Sequence, residues 1–234
     1  MRDPTPYGTG IPLTCMKGEG MEDFTSNMET LRVAEIRHRM SNGFQLLQSF
    51  TRQQLSKSEN REARERLAQV LRQIETVAAQ QSALSEADSG NLAGFAQEME
   101  PLWRRIGEQA GIEVHVRFDA DAPFSPLASE TAARILLEAV SNCIEHAFPE
   151  GEGGRVEIDV TVIDGHHCRV RVTDDGHGMK NAGRGQGTRI IASLAAELGG
   201  VAAWSDRDGG GTVMKIDFPV NLPETVETMT QATI

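Results

Sequence analysis

The sequence predicts two domains of different class, an antiparallel helical hairpin followed by an α+β layer sandwich. Three observations predict them. From about Asn27 to Glu86, apolar residues recur at helical spacing along two long segments parted only by Lys57-Ser58-Glu59-Asn60, and long helices joined by a short turn fold back on each other. Beyond Asp88, stretches that alternate every second residue are mixed with stretches that keep the helical period, the pattern of a layered sheet-and-helix domain. The hairpin helices are charged over most of their girth, so one hairpin buries too little to be stable alone. Pairing with a second copy into a dimeric four-helix bundle is the expected remedy, with packing against the chain's own C-terminal half as the alternative.

Residues 1–27 carry Pro4, Pro6, Gly8, Gly10, Pro12, Gly18 and Gly20 with little apolar periodicity, which reads as a mobile tail too short for a sensor domain. Met16, Met21 and Met28 are alternative starts. The hairpin occupies 28–88. Its first helix runs from an N-cap at Asn27 to Lys57, about 45 Å at 1.5 Å per residue. Ile36, Met40, Gly43, Leu47 and Phe50 form its seam. The second runs from Arg61 to Glu86, with Leu67, Val70, Leu71, Ile74, Val77, Ala78 and Leu84 on one stripe.

The second domain occupies 89–220. Leu92 to Ala110 reads as a helix with Gly111 as C-cap, and Ile112 to Phe118 as a strand. An apolar helix over Ser129 to Ala147, capped by Ser129, follows the loop DADAPFSPL. Val156 to Ile163 and Cys168 to Thr173 alternate around Asp164-Gly165, a hairpin signal. Gly187 to Leu198 is helical until Gly199-Gly200, Thr212 to Phe218 is a last strand, and the segment from Asn221 reads as a second disordered tail. The sheet is expected to be mainly antiparallel.

Acidic residues outnumber basic ones 34 to 23, a formal charge of −11 that disfavours nucleic acid. Cys15, Cys143 and Cys168 are odd in number and too far apart for a CxxC pair, which fits the reducing cytoplasm. No apolar run approaches the roughly 20 residues of a membrane helix, and the N-terminus lacks the order of a signal peptide. A cytoplasmic protein with no membrane insertion is expected.

Four clusters carry chemistry. His38 stands off the first helix's seam, with Glu35 three residues before and Asn42 four after, so carboxylate, imidazole and amide share a face. Neutral imidazole is a competent nucleophile near pH 7. A carboxylate one turn away can fix its tautomer or take its proton, and Asn42 can position a water. Glu138, Asn142 and His146 follow at four-residue steps on an apolar helix, where Asn142 can offer its amide oxygen to Mg²⁺ and Glu138 can orient it. Asp174-Asp175-Gly176-His177-Gly178 closes a strand, and a carboxylate there can accept from an exocyclic amine while glycines admit a flat base. Gly183-Arg184-Gly185-Gln186-Gly187 opens a helix whose free N–H groups and dipole favour phosphate, and Gly209-Gly210-Gly211-Thr212 follows.

With these clusters in this order, the chain resembles the sensor histidine kinases of the HWE type and its relatives, whose phosphoacceptor motif HRxxN reads here His38-Arg39-Met40-Ser41-Asn42. The resemblance covers about Glu29 to Pro219. It implies that the hairpin dimerises and is phosphorylated on His38, and that the C-terminal domain is a Bergerat (GHKL) fold using ATP and Mg²⁺. Asn142 would ligate Mg²⁺ with Glu138 assisting, and Asp174 would hold the adenine amine beside Thr212. Gly176, Gly178, Gly183, Gly185 and Gly187 would shape the pocket, with His146 on its wall. The implied partners are a second copy and a response-regulator receiver domain whose aspartate takes the phosphoryl group; with a tail too short for a sensor domain, the input is expected through an upstream sensor protein or through that tail.

Three departures from the family stand out. Glu145 stands where a lysine is common, only Lys180-Asn181-Ala182 fills the place of a long lid, and Gln186 and Thr188 replace leucines. These departures also fit a dimeric histidine phosphotransferase with a worn ATP site, shuttling phosphoryl between response regulators. A GHKL-type anti-sigma or switch protein is the binding-class alternative, against which the HRxxN motif argues.

Overall fold

The computed structural model describes residues 19–221 apart from 121, 150 and 180–184, with side chains described from residue 35 onward. Five helices and five strands follow in the order α1 (Glu19–Lys57), α2 (Arg61–Asp88), α3 (Leu92–Ala110), β1 (Ile112–Asp119), α4 (Pro126–His146), β2 (Gly154–Val162), β3 (His167–Asp174), α5 (Gln186–Glu197), β4 (Ala203–Asp206) and β5 (Thr212–Pro219) among these residues. Packing divides the chain into a unit ending at Leu47 and a unit from Gln48 onward.

Helix α1 begins at Glu19, not at Asn27. The segment ahead of Asn27 contains a single glycine and no proline within the helix, and one glycine costs only about 1 kcal/mol against alanine, too little to stop a long helix. Residues 1–18 and 222–234, the remainder of the two expected tails, lie outside the described residues. The polar break after Lys57 works as the sequence implies: the Asn60 side chain accepts from the N–H groups of Glu62 at 2.9 Å and Ala63 at 3.2 Å and so starts α2. Arg52 on α1 donates to Glu75 on α2 at 2.7 Å, which ties the end of one helix to the middle of the next.

The C-terminal turns of α2 join the core of the second unit. Ala83 and Ala87 are fully buried there, small enough to let α2 approach α3 and α4. The core therefore starts before residue 89. Phe95 and Trp103 of α3 meet edge to face at 6.0 Å in the same core.

The sheet order is β1-β2-β3-β5-β4. All pairings are antiparallel except β1 with β2, which run parallel because α4 lies between them as a crossover. Strand alternation sends Val156, Ile158 and Val160 of β2, Val170 and Val172 of β3, and Met214, Ile216 and Phe218 of β5 toward the helices. Full burial of each such side chain is worth about 1.5–3 kcal/mol. The opposite face carries Asp159, Arg169, Arg171, Lys215 and Asp217 in ion pairs, such as the two-point contact of Arg169 with Asp217 at 2.7 and 2.8 Å.

Two local expectations change. The cap of α4 is Ser125, whose Oγ accepts from the Ala128 N–H at 3.2 Å, with Pro126 in the first helical position where its missing N–H is harmless. Ser129 is instead buried inside the helix. Strand β4 was not expected at all: its four residues are too few to display an alternation.

Candidate functional site

On α1, His38 is exposed and its Nδ1 lies 3.4 Å from the Asn42 amide nitrogen. Glu35 does not serve the imidazole. Its Oε1 takes the Arg39 guanidinium at 2.6 Å, because a full cation four residues on in a helix attracts a carboxylate more strongly than a neutral ring does. The helix thus brings His38 and Asn42 together and turns Glu35 away to the arginine.

In the second unit, a cavity of about 530 Å³ opens between α4, the N-terminus of α5, the end of β3 and β5. Asp174 closes β3 at its inner end and is 3% exposed. Its Oδ1 accepts from the N–H groups of Gly176 at 3.0 Å and Thr212 at 3.1 Å, so backbone alone fixes the carboxylate plane. Cys143 Sγ lies 3.7 Å from the other oxygen, Oδ2. Thr212 meets Asp174 through its amide, not its hydroxyl. Gly211 sits at φ +98°, and a Cβ there would strike the Asp174 carbonyl oxygen, so the glycine run before Thr212 is what brings that amide to the carboxylate.

Helix α4 supplies the opposite wall. The Asn142 amide donates to Glu138 Oε1 at 3.2 Å, which leaves the Asn142 oxygen as a free acceptor in the cavity lining. His146 and Glu145, one turn on, are exposed at its edge, and the Ser141 hydroxyl donates to Glu145 Oε1 at 2.8 Å. Among the described residues no lysine or arginine lines the cavity.

Helix α5 enters at its N-terminus. Among the described residues Gly185 is the N-cap without a side-chain hydrogen bond, residues 185–188 line the cavity, and Thr188 Oγ1 donates back to the Gly185 carbonyl at 2.9 Å. Such an end favours anions through its N–H groups and dipole. Gly178, Gly185 and Gly187 line the cavity, Gly176 supports it from behind through its bond to Asp174, and Gly183 lies outside the described residues.

The sequence reading missed the apolar part of this wall: Trp204 on β4, Met214 on β5, Met179 and Ile190. Met214 carried a signal, since it lies two residues past Thr212 on the inward face. Trp204 carried none, because its strand went unrecognised. His177 was quoted only as part of the motif; its ring nitrogen lies 2.9 Å from the Gly178 carbonyl at the cavity edge.

Comparison with known proteins bears on both regions. Residues 35–110 match the family described as "Histidine kinase", and residues 128–222 match "Histidine kinase-, DNA gyrase B-, and HSP90-like ATPase". The chain is 29% identical over 235 residues to blue-light-activated histidine kinase 2 of Erythrobacter litoralis, covering 94% of this chain and 65% of that protein. It is 28% identical over 201 residues to the sensor histidine kinase PdtaS of Mycolicibacterium smegmatis, covering 80% of this chain and 39% of that one. It therefore spans less than two thirds of these relatives' own lengths. In fold it is similar to the histidine kinase domain of an Erythrobacter litoralis blue-light-activated histidine kinase, with a TM-score of 0.53, 20% identity, and coverage of 76% of this chain and 94% of that one.

Proposed function

This chain belongs to the HWE-type histidine kinases, whose two characteristic segments it carries in order, and from that premise we propose that it binds ATP in the α4–α5 cavity, transfers the γ-phosphoryl group to His38 and passes it to an aspartate of a response-regulator receiver domain. The observation that carries the reading is Asp174. A buried carboxylate with one oxygen satisfied by backbone and the other beside a cavity is built to accept a hydrogen bond from an amine such as that of adenine.

The remaining lining fits a triphosphate. The open first turn of α5 faces the cavity as a phosphate site, and Trp204, Met214 and Met179 offer apolar area to a flat base. Mg²⁺ also fits: Asn142 has a free amide oxygen, the hard donor that this ion takes, and Glu138 orients that amide from behind. When bound, the ion offsets phosphate charge.

At His38, transfer forms a bond from a ring nitrogen to phosphorus and breaks the bond from phosphorus to the β–γ bridging oxygen, releasing ADP. The neutral ring attacks through the nitrogen that carries its lone pair, and the proton on the other ring nitrogen then leaves to solvent. His38 is exposed on α1, open to a receiver domain.

Ile36, Met40, Leu47 and Phe50 of α1 are 57%, 41%, 51% and 61% exposed, and Val70 and Val77 of α2 are 45% and 40% exposed. That supports a homodimer whose seam covers them. No helix among the described residues is long and apolar enough to cross a membrane. We place the protein in the cytoplasm, where ATP and receiver domains are found, with its stimulus delivered by an upstream sensor protein. Calorimetric titration with Mg-ATP tests the core of the proposal: wild type binds, and Asp174→Asn binds about 10- to 100-fold more weakly, the worth of a hydrogen bond to a charged acceptor.

A further inference from the structure

We propose that Cys143 is a positioning residue for purine recognition: its thiol donates to Asp174 Oδ2 and thereby selects the lone pair of that oxygen that remains for a purine amine. The inference rests on the nucleotide reading above and concerns how the site tells an amine-bearing purine from others.

The geometry leaves little freedom. Asp174 Oδ1 is held by two backbone N–H groups at 3.0 and 3.1 Å, so the carboxylate cannot rotate to present that oxygen to a ligand. Recognition falls to Oδ2. Among the described residues, the hydrogen-bond partner of Oδ2 is Cys143 Sγ at 3.7 Å, an ordinary separation for a bond through sulfur. An ionised carboxylate oxygen has about two acceptor directions. With one directed at the thiol, the other is left for a donor arriving from the cavity, which both residues line. A purine bearing an amine at C6 supplies that donor; one bearing a carbonyl there sets oxygen against oxygen and is repelled.

The thiol is suited to remaining a donor. A thiol has one S–H to give, and the 3.7 Å separation from Oδ2 sets it as the donor to an oxygen that can only accept. Cys143 also follows Asn142 directly on α4, so one turn of helix sets both the purine-side thiol and the amide proposed for Mg²⁺.

The test is competition binding on the full chain with ATP and with purine riboside triphosphate, which has hydrogen in place of the amine. Cys143→Ala should weaken ATP by about threefold to tenfold, the range of one modest hydrogen bond, and leave the purine analogue within about twofold of wild type. Cys143→Ser, which keeps a donor on the same Cβ, should hold the wild-type preference. Equal weakening of both ligands by the alanine variant, no change in either, or a serine variant that behaves like alanine overturns the role for Cys143 while leaving the nucleotide site standing. A wild-type chain that binds neither triphosphate overturns the nucleotide reading itself, and the positioning role with it.

Discussion

Gly187, in the first turn of α5, lies so close to Asn142 on α4 that a Cβ at that position would fall 2.5 Å from the Asn142 amide nitrogen and 2.7 Å from its oxygen. The close approach sets the end of α5 proposed for phosphate directly against the amide proposed for Mg²⁺. A larger residue there would displace the Asn142 and Glu138 side chains.

Gly187→Ala should therefore act on binding more than on folding. We expect Mg-ATP affinity to fall about tenfold in a calorimetric titration as the Asn142 and Glu138 side chains are pushed from their places. The melting temperature should drop by only about 2–4 °C, because overpacking at a helix end costs on the order of 1 kcal/mol. A large thermal loss with unchanged affinity would mean that the contact is structural only.

Glu145 stands at the cavity edge, where its charge opposes a triphosphate, and the Ser141 hydroxyl holds it one turn back along α4. Glu145→Lys should raise the rate of His38 labelling from ATP by about threefold to tenfold at low salt, with the gain shrinking as ionic strength rises. Equal rates at every salt concentration would show that the carboxylate stays clear of the phosphates.

Leu47 and Phe50 are more than half exposed within one chain. Replacing both by glutamate should convert dimers to monomers in light scattering, since the dimer would have to bury unpaired charge. The single-chain fold should be unaffected, with ATP affinity within about twofold of wild type. A persistent dimer would put the interface elsewhere.

The HRxxN face offers a split between its two polar neighbours. Glu35 is engaged by Arg39, so Glu35→Gln should leave His38 labelling within about twofold. Asn42→Ala should likewise label near normally but slow the dephosphorylation of a bound receiver domain, where Asn42 would hold the attacking water. The decay of phosphorylated receiver in the presence of each variant is the measurement, and equal decay for Asn42→Ala and wild type would remove that role.

The hairpin and most of the second domain could be read from periodicity and turn chemistry. Leu92 to Ala110 and its Gly111 cap appear as expected, as does the β2–β3 turn, where Asp164 accepts from the His166 and His167 amides at 2.9 and 2.7 Å. What could not be read depends on contests between near neighbours or on tertiary partners. Ser125 outcompetes Ser129 as a cap because Pro126 follows it, a purely local preference that the long apolar run of α4 obscured. The pairing of Glu35 with Arg39 is a contest between two neighbours at helical spacing, which spacing cannot decide. Asp174 was legible as a candidate site residue. Its fixation by the Thr212 amide and its contact with Cys143 arise only when β5 and α4 close on β3.

The proposed link from the Asp174 cavity to His38 through ATP is read by labelling the purified full chain with γ-labelled Mg-ATP. The expected product is an acid-labile, base-stable label that is absent in His38→Ala and reduced about 10- to 100-fold in Asp174→Asn at ATP concentrations below saturation. Equal labelling of wild type and Asp174→Asn, or no label from ATP while a phosphorylated receiver domain labels His38, would contradict it.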